Sequence, residues 1–328
     1  MSAAPPTRPR LVPQAGPAAW RAADLRPADW MVPLGAEHAA EIEAVLAVRG
    51  GRAPLTPEDA PLPRLGAVLR QVAGRLDSGQ GFCLLRGLPL ERIGTGNAEA
   101  VLLALGVHLG RPVPERPGGA AVRRVGAAPA GTARWRFHAE AADIVALLTL
   151  RQPPEADPAM LVAAASVHNE MMRRDRAALE LLYAPLPHLL GGTAAEDAGA
   201  EAVVELSLFS TASGAFVGRH ARDAIEAAQR LAQTPRLAAA QVAALDLLDA
   251  ICAEPGLALR LEVRPGDVLL YNPLQVWKRR AEGAETGGEG REAMRLLLLT
   301  PNSRALPGGM AALGEGPAQG RLGGMVGG

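Results

Sequence analysis

An α+β, mainly β architecture is the fold class that this sequence predicts: an antiparallel sandwich or jelly roll with flanking helices and a helical insert. Three observations predict it. Short apolar runs of strand length recur between turn residues, most of them in the second half. Two helical stretches, Arg222–Ala232 and Ala238–Ala253, interrupt those runs as an insert. No Gly-rich phosphate turn follows an early strand, so a parallel doubly wound sheet fits less well.

The elements follow in order. Residues 1–16 are rich in Pro and read as a flexible leader. Trp20, Leu25, Trp30 and Leu34 then anchor a segment across the domain surface. Glu37–Arg49 places Ala39, Ile42, Val45 and Leu46 at helical spacing, and Gly50-Gly51 closes the helix. Leu65–Leu76 is a second amphipathic helix. Gly81–Arg86 is a short buried strand, and Gly96–Leu109 a third helix. Residues 117–133, dominated by Gly, Ala and Pro, read as a loop. Trp135–Glu140, Ile144–Leu150 and Leu161–Ala165 are strands, and Val167–Tyr183 opens the insert as one helix, with the insert running from about 167 to 253. Val203–Ser210 and Gly214–Gly218 form a hairpin within it. Leu257–Val263, Val268–Tyr271 and Met294–Leu299 complete the strands, with a turn at Pro265-Gly266-Asp267. Residues 192–201 and 281–290 are loops. Residues 17–307 are expected to make one domain, followed by a disordered Gly-rich tail over 308–328.

Bulk composition excludes several roles. Thirty-four basic residues balance thirty-four acidic ones, so no global attraction to nucleic acid or to an anionic membrane is expected. No apolar run approaches the length of a membrane span, and no signal peptide is visible, which points to a cytoplasmic protein. Two cysteines, Cys83 and Cys252, make neither a disulfide framework nor a zinc knuckle. Arg outnumbers Lys so heavily that Lys278 is the only lysine.

Chemistry concentrates in two stretches. His138 and Glu140 are two residues apart, so on a strand their side chains share a face. They suit two corners of a facial iron site. Tyr271 to Lys278 is the stretch from which a third ligand would come. Taken alone, His138 and Glu140 also read as a surface strand pair. His108, His168, His188 and His220 read as structural or exposed.

Several segments carry a family resemblance. They are Gly81-Phe82-Cys83-Leu84-Leu85-Arg86-Gly87-Leu88-Pro89, His108-Leu109-Gly110-Arg111-Pro112-Val113-Pro114, Phe137-His138, Val167-His168-Asn169-Glu170 and Arg264-Pro265-Gly266-Asp267. Together they resemble the TauD/TfdA-like (taurine dioxygenase) family of Fe(II)/2-oxoglutarate-dependent oxygenases over roughly residues 20–307. The resemblance implies a double-stranded β-helix, Fe(II) and 2-oxoglutarate as cofactors, and hydroxylation of a small-molecule substrate. It implies His138 and Glu140 as metal ligands, with Glu140 where Asp is usual, and Lys278 where the distal His is expected. Arg291 matches the 2-oxoglutarate anchor. Arg295 and Asn272 match substrate or supporting positions. The family's Gly-Gly-x-Ser/Thr is replaced near Met160, and Glu115-Arg116 stands where Gln-Asn is frequent.

Lysine is the departure with chemical weight. Its ammonium has no lone pair for a metal and repels Fe(II). A second reading therefore stands beside the oxygenase: a catalytically inactive relative that binds a small acid or a protein, with a Glu140–Lys278 ion pair in place of the metal.

Overall fold

The computed structural model describes residues 11–49, 54, 56–115, 118–126, 136–154, 156, 158–189, 203–211, 214–279 and 290–301. The expected tail, the loop 192–201, residues 281–289 of the expected loop 281–290, and residues 1–10 lie outside them. Among the described residues no helix is long and apolar enough to cross a membrane.

The first strand, β1 (Met31–Pro33), follows a short helix, α1 (Pro27–Trp30). Helices α2 (Ala36–Arg49) and α3 (Pro63–Ser78) precede β2 (Phe82–Arg86). Two more, α4 (Leu90–Ile93) and α5 (Ala98–Gly106), lead to β3 (Arg111–Val113) and β4 (Val122–Gly126). Then come β5 (Phe137–His138), β6 (Ile144–Arg151) and β7 (Ala159–Ala163). The insert contains α6 (Ala164–Arg174), α7 (Arg176–Tyr183), β8 (Leu186–Leu189), β9 (Val203–Leu206), β10 (Phe209–Ser210), β11 (Val217–Gly218), α8 (Arg222–Ala228) and α9 (Ala239–Cys252). The chain closes with β12 (Leu259–Leu261), β13 (Val268–Tyr271), β14 (Val276–Arg279) and β15 (Glu292–Leu299).

Two sheets face each other, as the jelly-roll expectation requires. The large sheet runs β1-β2-β13-β6-β15-β3, with β4 also paired to β15. The small sheet runs β12-β7-β14-β5. Side-chain alternation assigns the layers. On the large sheet, Cys83, Leu85, Ala146, Leu148, Leu270, Leu296 and Leu298 pack under α2, α3 and α5. The opposite face contributes Phe82, Leu84, Val145, Leu147, Leu269, Tyr271 and Leu297 to the space between the sheets. Ala159, Leu161, Ala163 and Val276 meet them from the small sheet. Phe137, Val162 and Trp277 point outward, against the insert helices.

The expected turn at Pro265-Gly266-Asp267 ties the large sheet together. Gly266 has φ of 86°, and a Cβ there would lie 2.1 Å from the Leu88 carbonyl oxygen. Only glycine tolerates both conditions. Asp267 accepts from Arg86 Nη2 at 2.7 Å, joining the turn to the end of β2.

Four expectations are corrected. The leader is held from Leu11 onward: Leu11 is buried, and Asn169 donates to and accepts from the Gln14 backbone. Residues 122–126 form β4 within the expected loop, because β15 offers them a ladder partner. The helix expected over 167–183 breaks at Asp175, which is extended and caps α7 by accepting from Ala178 N at 2.9 Å. The hairpin expected from 203 to 218 divides: β9 pairs with β8, and β10 pairs with β11.

Candidate functional site

The two chemical stretches meet on the small sheet. Lys278 lies directly opposite His138 in the β14–β5 ladder. Directly paired residues share a face, with Cβ atoms about 4.5–5.5 Å apart. Val276 faces the space between the sheets and Trp277 faces the insert, so alternation turns Lys278 inward with His138.

Glu140 follows and enters the same space. Its carboxylate is bound from the large sheet. Arg295 Nη1 donates to Oε1 at 3.1 Å and to Oε2 at 3.0 Å, and Tyr271 Oη donates to Oε1 at 3.4 Å. His138 Nε2 is 4.0 Å from Glu140 Oε1. Arg295 reaches further, donating through Nε to Glu115 Oε1 at 2.6 Å. Arg123 Nη1 in turn donates to Glu115 Oε2 at 2.9 Å. One guanidinium thus lies between two carboxylates, with Glu140 13% and Arg295 19% exposed.

Burial and these carboxylates act together on Tyr271 and Arg295. Burial pushes the Tyr271 phenol well above its ordinary value, and the Glu140 charge adds to the shift. Burial alone would lower Arg295, but Glu140 and Glu115 outweigh it and hold its guanidinium above the ordinary value. Arg291 lies four residues before Arg295, just ahead of β15, where the pairing with β6 shifts register between Glu292 and Ala293. Burial lowers its affinity for the proton. Arginine nonetheless stays charged at neutral pH. Among the described residues the Arg291 guanidinium has no hydrogen-bond or ion-pair partner.

Asn272, read as a substrate or supporting residue, is engaged in a turn. Its side-chain amide donates to Leu76 O at 3.2 Å, and its Oδ1 accepts from Leu274 N at 3.0 Å. It lines a separate cavity of about 320 Å³ beside Asp77, Asp143 and Thr300. Sequence reading missed the roles of Glu115 and Tyr271. The available signal for Tyr271 was its position closing an apolar strand that leads directly into the second stretch. Glu115 had only its place after Pro112-Val113-Pro114.

Comparison with known proteins decides the family. The pattern described as "Taurine catabolism dioxygenase TauD, TfdA family" matches residues 48–297. The chain belongs to that family. It is thereby a member of the TauD-like Fe(II)/2-oxoglutarate oxygenases. Among curated relatives, FR-33289 synthase of Streptomyces rubellomurinus (strain ATCC 31215) is 25% identical over 266 residues, 75% of this chain and 77% of that protein. An asparagine oxygenase structure with Fe(II), 2S,3S-3-hydroxyasparagine and succinate superposes with a TM-score of 0.63 at 22% identity. It covers 83% of this chain and 94% of its own. The non-heme iron oxygenase OrfP, with Fe, succinate and (3R,4R)-dihydroxy-L-Arg, gives 0.62 at 16% identity, covering 84% and 99%. These two establish the shared jelly roll.

Proposed function

We propose that this TauD/TfdA relative binds a small carboxylic acid between its two sheets without iron. The observation that carries the reading is the register of Lys278 against His138. It supports the sequence alignment that sets a lysine at the third metal position. The donors at hand fit a facial iron site poorly. His138 supplies an imidazole, Glu140 supplies a carboxylate already bound by Arg295, and Lys278 supplies a cation. Among the described residues no three His, Cys, Asp or Glu side chains converge as a metal would need.

The same residues suit an anion. Arg291, Arg295 and Lys278 outnumber Glu115 and Glu140 by one positive charge. Arg295 is shared by the two carboxylates, which leaves Arg291 to take the ligand's carboxylate in a charge-assisted, two-pronged contact. Lys278 joins Arg295 in neutralising Glu140, and its ammonium takes over the electrostatic place of the metal. A 2-oxo acid or dicarboxylate of the size of 2-oxoglutarate is the ligand class.

A second reading keeps the family's chemistry. His138 and Glu140 still point into the cleft, and the neighbouring structures hold hydroxylated amino acids. Under it, the two residues would hold Fe(II), Arg291 would anchor 2-oxoglutarate, and an amino acid or similar small molecule would be hydroxylated. Anaerobic titration with Fe(II) and 2-oxoglutarate separates the two. The first reading expects 2-oxoglutarate to bind in chelator and no visible charge-transfer band with iron. A band from the unaltered protein would establish the second. Lys278→His is expected to raise iron affinity.

A further inference from the structure

Strand β5 presents a problem of support. It contains two residues, Phe137 and His138, and it lies at the edge of the small sheet with β14 on one side only. A ladder that short is marginal alone. Yet it carries His138 and leads into Glu140. The other side of this segment is held by the insert, and the contacts converge on one carboxylate.

Asp249, on α9, is that carboxylate. Its Oδ1 lies 2.7 Å from His220 Nε2, and its Oδ2 accepts from Arg222 Nη1 at 2.8 Å. Its Oδ2 also lies 3.3 Å from Arg136 Nε. Arg136 immediately precedes β5, and its Nη1 lies 2.8 Å from Glu226 Oε2 on α8. His220 is fully buried, and its backbone oxygen accepts from Ala139 N at 2.7 Å. Asp249 therefore reaches both flanks of His138: Arg136, two residues before it, directly, and Ala139, the next residue, through His220.

The same histidine touches the partner strand. The His220 ring lies 5.3 Å from the Trp277 ring, and Trp277 adjoins Lys278. Trp277 Nε1 donates to Gly218 O at 3.1 Å, two residues before His220. A Cβ on Gly218 would come within 2.6 Å of Ala164 Cβ and 3.1 Å of the Trp277 ring, so this segment is pressed against β14 with no slack. Both strands that carry the paired His138 and Lys278 are thus backed by one unit.

We infer that Asp249 is a positioning residue: from the insert it fixes, through Arg136 and His220, where β5 presents His138 and Glu140 to the cleft. The role does not depend on what the cleft binds. Arg222 strengthens it from the far side, because its guanidinium also pairs with Asp246 at 2.6 Å and Glu226 at 3.0 Å. Desolvation opposes the charge on Asp249, but the hydrogen bond from His220 and the charges of His220, Arg222 and Arg136 overcome it and hold its carboxyl below the ordinary value.

The test uses the full chain with isotope-labelled histidine. The chain has six histidines, and His138→Gln and His220→Gln assign the two signals. At fixed neutral pH, Asp249→Asn is expected to shift the ring resonances of both His220 and His138, and to leave His38 and His108 in place. Asp249→Glu is expected to return the His138 signal most of the way. Arg136→Lys, which attacks the network from the other end, is expected to move His138 and leave His108 unmoved. A shift confined to His220, with His138 unchanged in Asp249→Asn and Arg136→Lys, overturns the proposal. Loss of the fold in both variants also overturns it, since the network would then serve folding and not placement.

Discussion

The two sheets solve different problems. The large sheet has core strands of up to eight residues, and one face packs an apolar cluster under three helices. The small sheet has strands of two to five residues, and polar groups from the insert brace its edge. Burial of leucine and valine, each contributing about 1.5–3 kcal/mol, stabilises the first without directional demands. Placement in the second relies on hydrogen bonds and ion pairs, which are modest in net energy but strict in geometry. Stability and site geometry are thus divided between the sheets, and β15 spans the division: Leu296 and Leu298 face helices, while Arg295 faces Glu140.

The sharpest way to break this contrast is to damage the large sheet alone. Leu296→Ala is expected to cost about 2–5 kcal/mol in denaturant unfolding, with ligand affinity of the folded fraction unchanged. An equal loss of affinity would show that the sheets are not separable. Next in size is Arg295→Met, which leaves Glu115 and Glu140 without their shared guanidinium. Breaking such a pair from one side costs about 3 kcal/mol. If Lys278 takes up Glu140, the measured loss falls short of that figure, and Lys278→Met added to it shows a coupling in a double-mutant cycle.

An acid titration distinguishes the regions further. Burial pushes His188, in the insert, down to about 4. An unfolded histidine binds its proton near pH 6.5. Between those values the unfolded chain holds the extra proton, so stability rises with pH across that window. The contribution is complete above about pH 6.5 and fully lost near pH 4, with an upper size of about 3 kcal/mol. His188→Gln is expected to flatten the slope of unfolding free energy over that window. An unchanged slope would place the acid sensitivity elsewhere.

Much of this was legible in the sequence because short apolar runs bounded by turn residues report on the large sheet directly. Val268–Tyr271 and Leu296–Leu299 are continuous apolar runs, as strands buried on both faces must be. The pairing of His138 with Lys278 was legible only through family resemblance, since no local pattern links residues 140 apart. β4 was not legible, because residues 117–133 carry loop composition and its strand exists through pairing with β15. Arg295 could be placed on a strand but not assigned to Glu140, since facing sheets meet in register only after folding. Asp249 had no signal, because a helix-borne carboxylate reads as a solvated face until the partners surround it.

A smaller effect concerns Arg291. Arg291→Gln removes a guanidinium with no partner among the described residues, so unfolding free energy is expected to stay within about 0.5 kcal/mol. Affinity for 2-oxoglutarate is expected to fall by roughly 10–100-fold, the usual size of a lost charge-assisted contact. A stability loss larger than the binding loss would make Arg291 a core residue.

The proposal that Lys278 takes the place of the metal is open to calorimetric titration of 2-oxoglutarate into the metal-stripped protein in chelator, for the unaltered chain and for Lys278→His. Saturable metal-free binding to the unaltered chain is expected, weakened in Lys278→His and recovered there when Fe(II) replaces chelator. Binding to the unaltered chain only when Fe(II) is present would contradict it.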